Sequence, residues 1–421
     1  MQLEAQPDAI VAIPTGAIGK QAIGNCWAYT TTAWLEALQL QAGSARVDYS
    51  ESYLSYWNMY EALMGNRSHG LAGGSFLSAS RIINQRGLML QSDFINEQAT
   101  GEESLRQQLA LDNVEAWKKA GGLERAPAED LAKRRYIRAA LDKAWGLSDR
   151  RKAALDRAFG ADVSRTMASA NARSYSSFLI YRAADLPVVL YQPGASEPRK
   201  GRLSELVSAS TESFSGADFR APTSALVQVA FPMAGDPPLA GWSGFPTGYY
   251  LATSGNASVA TPRALWKKMQ RVLHQGIPIW GAWWMDKVGQ NPTTGNFSQV
   301  AALTTPHAVP LGAGAHASLF VDYQAGLADG TALKAGQVAS AAMMSAALND
   351  STSIQFFRIQ NSWGVNPVWR DRPAGLYDLS IEYLTNLANQ QCPETANPAA
   401  ISPNCKADPF FGLVMLPLNV E

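Results

Sequence analysis

The chain lacks an excess of charge of either sign, and it contains no long apolar run. Its 35 Lys and Arg residues balance 35 Asp and Glu residues, and no run of Lys and Arg creates a local basic field, so the sequence argues against nucleic-acid binding. No stretch reaches the roughly 20 apolar residues of a membrane helix, so no membrane span is expected. Hydrophobic residues nevertheless make up 47% of the 421 residues, which predicts a folded body of enzyme size.

Cysteine is scarce, with three residues in the whole chain. Cys392 and Cys405 have twelve residues between them, a separation that a disulfide could close, although two separate thiols are the alternative. A disulfide would favour an oxidising compartment. Residues 1–13 lack the basic start and apolar block of a secretion signal. We therefore expect a secreted or periplasmic protein whose signal has been removed, or alternatively a cytoplasmic one.

Periodic apolar positions predict helices in the first hundred residues. The segment from Gly24 to Leu40 has the spacing of one buried helical face, and Cys26 begins it. A second helix spans Ser50 to Met64 with Ser50 as its N-cap. A third helix follows the Gly73-Gly74 pair and ends at Gly87, a residue type suited to a helix C-terminus.

The remainder of the chain changes from helical to β-rich composition. Residues 101–180 are rich in Glu, Lys, Arg and Ala and predict a helical insertion of surface type. Short β-branched and aromatic runs predict strands, and one amphipathic helix, 263–274, lies among them. These runs are LPVVLY (186–191), ALVQVAF (225–231), IPIWGAWW (277–284), ASLFVDY (317–323) and IQFFRIQN (354–361), with loop insertions expected at 286–306 and 326–350. The fold class predicted is α+β, with a helical half (1–100), the insertion (101–180) and a β-rich half (181–421), and a cleft between the two halves.

Cys26 is the one cysteine outside the possible Cys392–Cys405 pair, and its predicted position suits a nucleophile. A helix N-terminus favours negative charge and therefore lowers the pKa of a thiol. The residue before it, Asn25, can cap this helix. The alternative for Cys26 is a buried, small apolar side chain.

A cysteine nucleophile needs a base, and the chain contains four histidines. His69 lies in a polar loop and His274 ends an amphipathic helix, while His307 and His316 both precede the strand ASLFVDY. We favour His316, because it stands immediately before that strand, where a side chain can point into a cleft.

The base must be oriented, and the intermediate must be stabilised. Asn361 ends the strand IQFFRIQ and is followed by Ser-Trp-Gly, so Trp363 can cover an Asn–His hydrogen bond. A turn residue is the alternative for Asn361. The Gln21 amide and the backbone N–H of Cys26 are candidate donors to an oxyanion.

Taken in chain order, these segments resemble the papain-like cysteine peptidases. The matching segments are GKQAIGNCWAYTTTAWLEAL (19–38), LAGGSFLSASRIINQRGL (71–88), AHASLFVDYQ (315–324) and FFRIQNSWG (356–364). GLYDLSIEYL (375–384) resembles the closing strand of the family. The SESYLSYW helix and the long insertion resemble the bleomycin hydrolase and aminopeptidase C branch.

The resemblance implies a papain-like fold with a β-barrel-like second half. It also implies an enzyme that hydrolyses peptides or proteins without a cofactor or metal. Cys26 matches the nucleophile, His316 the base, Asn361 the orienting residue and Gln21 the oxyanion donor. Trp363 matches the shield, and the backbone of Gly73 and Gly74 matches the strip that binds an extended substrate.

Two spacings depart from the family, and two other functions remain open. Gln21 precedes Cys26 by five positions, where six is usual, and His316 and Asn361 are separated by an unusually long 45 positions. An acyltransferase or transpeptidase could use the same triad, and a catalytically silent protein could use the same fold to bind a partner. The oligomeric state is open.

Overall fold

Helices occupy the N-terminal part of the chain and antiparallel strands the C-terminal part, as seen in a computed structural model. The structure describes residues 18–65, 70–94, 103–167, 179–190, 199–206, 227–230, 249–250, 259–260, 262–274, 276–286, 290–291, 295–298, 313–364, 375–384 and 410–415. The chain divides into a helical unit (Gly19–Val189 and Arg199–Ser213) and a sheet unit (Met1–Ile18, Leu190–Pro198 and Phe214–Glu421). The α+β prediction is confirmed, whereas the three-part division at residues 100 and 180 stays a prediction.

The helical unit contains the helices predicted for the first hundred residues and those of the predicted insertion. They are α1 (Cys26–Gln41), α2 (Glu51–Leu63), α3 (Phe76–Arg86), α4 (Gln91–Phe94), α5 (Glu103–Lys119), α6 (Asp130–Ala144) and α7 (Asp149–Phe159). Two short strands, β1 (Pro187–Leu190) and β2 (Arg199–Arg202), pair with each other.

Local signals at the helix ends explain where α2 and α3 begin and end. The Ser50 hydroxyl accepts a hydrogen bond from the Tyr53 backbone N–H at 3.1 Å, as the N-cap prediction requires. Ser75 caps α3 in the same way. Gly87 follows α3 with a φ of 69°, a conformation that favours glycine.

Helix α1 is buried on all sides, so the prediction of one buried face was wrong. Every residue from Cys26 to Gln39 is buried, including a run of three threonines. Thr30 donates its hydroxyl hydrogen to the Cys26 carbonyl at 2.9 Å, and Thr31 donates to the Trp27 carbonyl at 2.7 Å. These hydroxyls donate to carbonyl groups of the same helix, so the threonine side chains can be buried in the core without unpaired donors.

Aromatic rings join the predicted insertion to α2. The Trp57 ring meets the Phe159 ring of α7 edge-on, with centroids 5.0 Å apart. The buried Arg86 guanidinium lies 4.7 Å above the Trp57 ring and 3.7 Å from a Glu61 carboxylate oxygen. Edge-to-face ring pairs and a paired, buried cation are stabilising contacts. The helices of residues 103–159 therefore belong to the same core as α2.

The sheet unit is built around one antiparallel sheet. Its elements are β3 (Val227–Ala230), β4 (Tyr249–Tyr250), β5 (Val259–Ala260), α8 (Pro262–His274), β6 (Ile279–Asp286), β7 (Ala313–Gly326), β8 (Ala332–Leu333), α9 (Ala341–Leu348), β9 (Ser353–Gln360), β10 (Leu376–Ser380) and β11 (Phe410–Met415). The strand order is β10-β9-β7-β6-β11-β3, with β8 paired to β7 and a separate β4-β5 pair. Among these described strands, β10 and β3 are the sheet edges and do not pair, so barrel closure stays a prediction.

Three sequence predictions need correction in the sheet unit, and two strands of the chain were not predicted. β7 begins at Ala313, so His316 lies inside the strand, where its partner is Trp283 on β6, and not before the strand. The loop expected at 326–350 contains β8 and α9. β10 lies at one edge of the described sheet, but β11 follows it in the chain, so the 375–384 segment does not supply the last strand. The charged strand β2 and the apolar strand β11 were not predicted.

Several predictions fall on residues outside those described. His69, His307 and both Cys392 and Cys405 are among them, so the disulfide stays a prediction. In the part of the chain that is described, no helix is long and apolar enough to cross a membrane. Among those same residues, no group of three or more His, Cys, Asp or Glu side chains is arranged to hold a metal ion.

Candidate active site

Cys26 is the first residue of α1 and is buried, with 9% of its surface exposed. Asn25 occupies the N-cap position, but its side chain does not cap the helix, which corrects the sequence interpretation. Its Nδ2 atom donates instead to Ser55 Oγ and to Gln107 Oε1, each at 3.0 Å. The positive end of the α1 dipole is therefore not neutralised by an Asn25 oxygen, and a negative charge on Cys26 is favoured there.

The segment between Lys20 and Cys26 is folded back on itself. The Gln21 Nε2 atom donates to the Ile23 carbonyl oxygen at 2.8 Å, and the Asn25 N–H donates to the same oxygen at 2.8 Å. Tyr29 Oη donates to the Lys20 carbonyl at 3.2 Å. An amide nitrogen carries two hydrogens, and the bond to Ile23 uses one of them. Gln21 is half-buried, with its amide group fixed in the turn that leads to Cys26.

Trp27 packs directly on the glycine pair. Its Nε1 atom donates to the Ala72 carbonyl at 2.9 Å, and a Cβ atom on Gly74 would lie 2.5 Å from the indole ring. Asn58 Nδ2 donates to the Gly73 carbonyl at 2.9 Å. The residue after Cys26 thus fixes the backbone at 72–74, and only glycine fits at position 74.

His316 and Asn361 meet on neighbouring strands of the sheet unit. His316 Nε2 lies 2.6 Å from Asn361 Oδ1, and this oxygen also accepts the Ser362 backbone N–H at 2.8 Å. Because an amide oxygen only accepts, the hydrogen between the two side chains belongs to His316 Nε2. In the neutral ring Nδ1 then carries the lone pair. The Asn361 N–H donates to the Gly375 carbonyl at 3.1 Å, which holds the end of β9 against the start of β10.

Two indole rings enclose the imidazole of His316. The Trp363 ring lies over it, with centroids 4.9 Å apart and planes tilted by 32°, and Trp283 meets it edge-on at 5.8 Å. Burial lowers the pKa of His316 to about 4, and the hydrogen bond that His316 donates to Asn361 opposes that shift. The ring is therefore neutral at physiological pH, in the form that can accept a proton.

Three carboxyl groups of the helical unit, those of Glu36 on α1, Glu51 on α2 and Glu103 on α5, have raised pKa values, which were not predicted from the sequence. Burial raises the pKa of Glu36 to about 8, although the Tyr49 N–H, at 2.8 Å from its Oε1, opposes the shift. Burial also raises the pKa of Glu51 and of Glu103, and their mutual repulsion adds to the shift of Glu51. Such groups favour the protonated form in the folded protein.

The structure brings the predicted residues together in two groups. His316, Asn361 and Trp363 are in contact in the sheet unit, whereas Gln21, Cys26, Gly73 and Gly74 lie in the helical unit. Sequence reasoning missed Trp283 and Gln107. Trp283 belongs to a recognised strand, and strand alternation could have placed it on the His316 face. Gln107 has no local signal for its contacts with Asn25 and Tyr29, which lie far along the chain.

No protein-family model and no curated protein sequence matches the chain. Two solved structures resemble it weakly. PepW from Lactobacillus rhamnosis HN001 gives a TM-score of 0.38 at 12% identity and covers 97% of this chain and 82% of its own. A clostridial cysteine protease, Cwp84 after propeptide cleavage, gives a TM-score of 0.35 at 10% identity and covers 97% of this chain and 57% of its own. At these values neither likeness bears on the fold or the activity of this chain.

Proposed function

We propose that the chain is a papain-type cysteine peptidase that hydrolyses peptide bonds through Cys26, His316 and Asn361. The observation that carries the proposal is the His316–Asn361 hydrogen bond. It fixes the imidazole with its hydrogen on Nε2 and its lone pair on Nδ1, beneath the Trp363 ring. Orientation of a buried, neutral imidazole by a neutral amide suits proton transfer to and from a thiol.

The reaction would form and then break a thioester. The Cys26 thiol gives its proton to His316 Nδ1, and the sulfur attacks the carbonyl carbon of the scissile amide. The imidazolium returns the proton to the leaving amine, which departs as the C–N bond breaks. Water, deprotonated by the neutral imidazole, attacks the thioester, and the acid product leaves with the thiol restored.

Gln21 and the backbone of Cys26 would stabilise the oxyanion of each tetrahedral intermediate. The turn at Ile23 holds the Gln21 amide a few residues before the helix N-terminus that carries the Cys26 N–H. Donors held in place before the reaction stabilise developing charge without reorganisation.

The strip at Gly73 and Gly74 would bind an extended peptide through its backbone. Asn58 and Trp27 hold this strip from behind, through the Gly73 carbonyl and the Gly74 Cα position. A side chain at residue 74 would collide with the indole, so the strip presents backbone atoms. Substrate is therefore expected to be a peptide or an unfolded protein segment, and no cofactor is required by this chemistry.

The test is hydrolysis of a positional-scanning peptide library with N-termini either acetylated or left as amines. Cys26→Ala should abolish turnover, and His316→Ala should lower it by about a hundredfold or more, because the general base is lost. Cleavage confined to amine-terminated peptides would identify an exopeptidase. Turnover by Cys26→Ala at the parental rate would overturn the proposal.

A second measurement separates hydrolysis from acyl transfer and from a silent fold. Mass spectrometry of products formed with added amine reveals transfer if the amine appears in the product instead of water. A Cys26 thiol no more reactive than that of glutathione, in a protein without turnover, would favour a partner-binding role and contradict the peptidase.

A further inference from the structure

The turn that carries Gln21 and Cys26 is anchored at both ends to one side chain of the helical insertion. At its C-terminal end, Asn25 Nδ2 donates to Gln107 Oε1 at 3.0 Å. At its N-terminal end, the Lys20 carbonyl accepts from Tyr29 Oη at 3.2 Å, and Tyr29 Oη contacts Gln107 Nε2 at 3.0 Å. Gln107 is fully buried in α5, a helix that begins 77 residues after α1.

The donors and acceptors around Gln107 can be assigned in one consistent direction. Tyr29 has one hydroxyl hydrogen, and when that hydrogen goes to Lys20 the Tyr29 oxygen accepts from Gln107 Nε2. The second Nε2 hydrogen goes to Ser52 Oγ at 3.1 Å, and Ser52 donates in turn to Glu103 at 2.7 Å. Every hydrogen then has an acceptor, so the amide of Gln107 is held in one orientation.

We propose that Gln107 is a positioning residue that sets the conformation of the turn from Lys20 to Cys26 and thereby the alignment of the nucleophile and the oxyanion donor. The inference deepens the proposed function and rests on it. It also assigns a role to the insertion: α5 holds the turn from behind through one buried amide.

The same contacts explain why Asn25 does not cap α1. The side chain that stands at the N-cap is turned away from the helix, because Ser55 and Gln107 engage its Nδ2 atom. A neutral Asn25 oxygen at the helix N-terminus would accept the N–H groups that favour a thiolate. Without Gln107, Asn25 can rotate back to cap the helix, and the electrostatic preference for an ionised Cys26 weakens.

The test compares Gln107→Met with Gln108→Met. Methionine keeps the length and volume of glutamine without its hydrogen bonds. Gln108 is a matched control, since it is the next residue of α5, is half-buried and, among the described residues, donates to Asp112 in its own helix at 2.9 Å. Gln107→Met should lower kcat about tenfold, as expected when buried hydrogen bonds that fix a catalytic group are lost. KM should change less than about twofold, and Gln108→Met should match the parent.

The rate of Cys26 alkylation by iodoacetamide, measured across pH, supplies a readout independent of peptidase activity. Gln107→Met should move the alkylation profile to higher pH, whereas Gln108→Met should leave it in place. Gln107→Glu should recover part of the parental rate only at acidic pH, because the protonated carboxyl keeps an acceptor and one of the two donor hydrogens of the amide.

Circular dichroism would verify that each variant is folded, and the Glu variant supplies a second route if the Met variant unfolds. A parental kcat and alkylation profile in folded Gln107→Met would overturn the inference. Absence of any Cys26-dependent turnover in the parent would instead overturn the proposed function, while the alkylation comparison would still decide the role of Gln107.

Discussion

Arg358 and Asp378 form a two-point ion pair across neighbouring strands of the sheet unit. Arg358 Nε lies 2.8 Å from Asp378 Oδ1 and Nη2 lies 3.1 Å from Oδ2, and the two residues are partners in the β9-β10 register. Asn361 follows β9 directly. The pair therefore fixes the register of the strand that presents the orienting amide.

Replacement of Asp378 by Asn should destabilise the protein by about 3 kcal/mol, because it leaves a largely buried guanidinium without its counter-charge. Asp350→Asn is the control, since its partner Arg271 and Asp350 itself are more exposed, and exposed pairs contribute about 0–1 kcal/mol. Urea unfolding monitored by tryptophan fluorescence would measure both. Equal destabilisation by the two substitutions would contradict the role assigned to the buried pair.

Asn361→Ala should reduce kcat by about tenfold or more while KM stays within about twofold, because the imidazole of His316 loses the acceptor that fixes its orientation. Steady-state kinetics on the substrate identified by the peptide library would measure this. Ser362→Ala is a useful control, as it retains the backbone N–H that donates to Asn361. A parental kcat in Asn361→Ala would show that the hydrogen bond has no part in turnover.

Gly74→Ala should destabilise the helical unit by about 1–3 kcal/mol, because the added methyl group overlaps the Trp27 ring. Gly24→Ala provides the comparison within the same unit, since its Cβ would lie 3.9 Å from Ala72, an ordinary contact. Thermal unfolding would detect the difference. Similar melting temperatures for the two variants would indicate that Trp27 moves aside at little cost.

Glu36 should make the helical unit less stable as pH rises. Its folded-state pKa of about 8 exceeds its unfolded value, so its contribution is fully present below that unfolded value and is lost as pH rises through about 8. Glu36→Gln retains an oxygen for the Tyr49 N–H and removes the ionisation. The variant should gain stability relative to the parent between pH 5 and pH 8, by at most roughly 4 kcal/mol.

Denaturant unfolding at several pH values would measure this difference. A difference between Glu36→Gln and the parent that stays constant with pH would show that Glu36 does not titrate in this range. His316 lies in the other unit and acts with the opposite sign, since its lowered pKa removes stability as pH falls toward about 4. The comparison of Glu36→Gln with the parent cancels that contribution.

Elements with local signals were predicted well from the sequence. The start of α2 at Ser50 and the end of α3 at Gly87 depend on groups only a few residues away. The position of His316 inside a strand was harder to predict from the sequence, because residues 313–315 are Ala, Gly and Ala, which have low strand propensity. Pairing with β6 extends β7 through them.

Long-range partners explain the remaining differences. Asn25 has the residue type and position of an N-cap, and its actual partner Gln107 stands 82 positions later. Similarly, β2 carries the charged sequence RKGR and is a strand only because it pairs with β1. The apolar run FFGLVM of β11 has the composition of a strand, so this strand could have been predicted from the sequence.

Because β7 and β9 are neighbouring strands, residues that are far apart in the sequence come into contact. His316 and Asn361 touch because their strands are neighbours, whatever number of residues joins the far ends of those strands. Searches for the same pair of side chains in unrelated sequences should therefore constrain the two strand motifs and leave the interval between them unrestricted, since a pattern of fixed length would discard this protein.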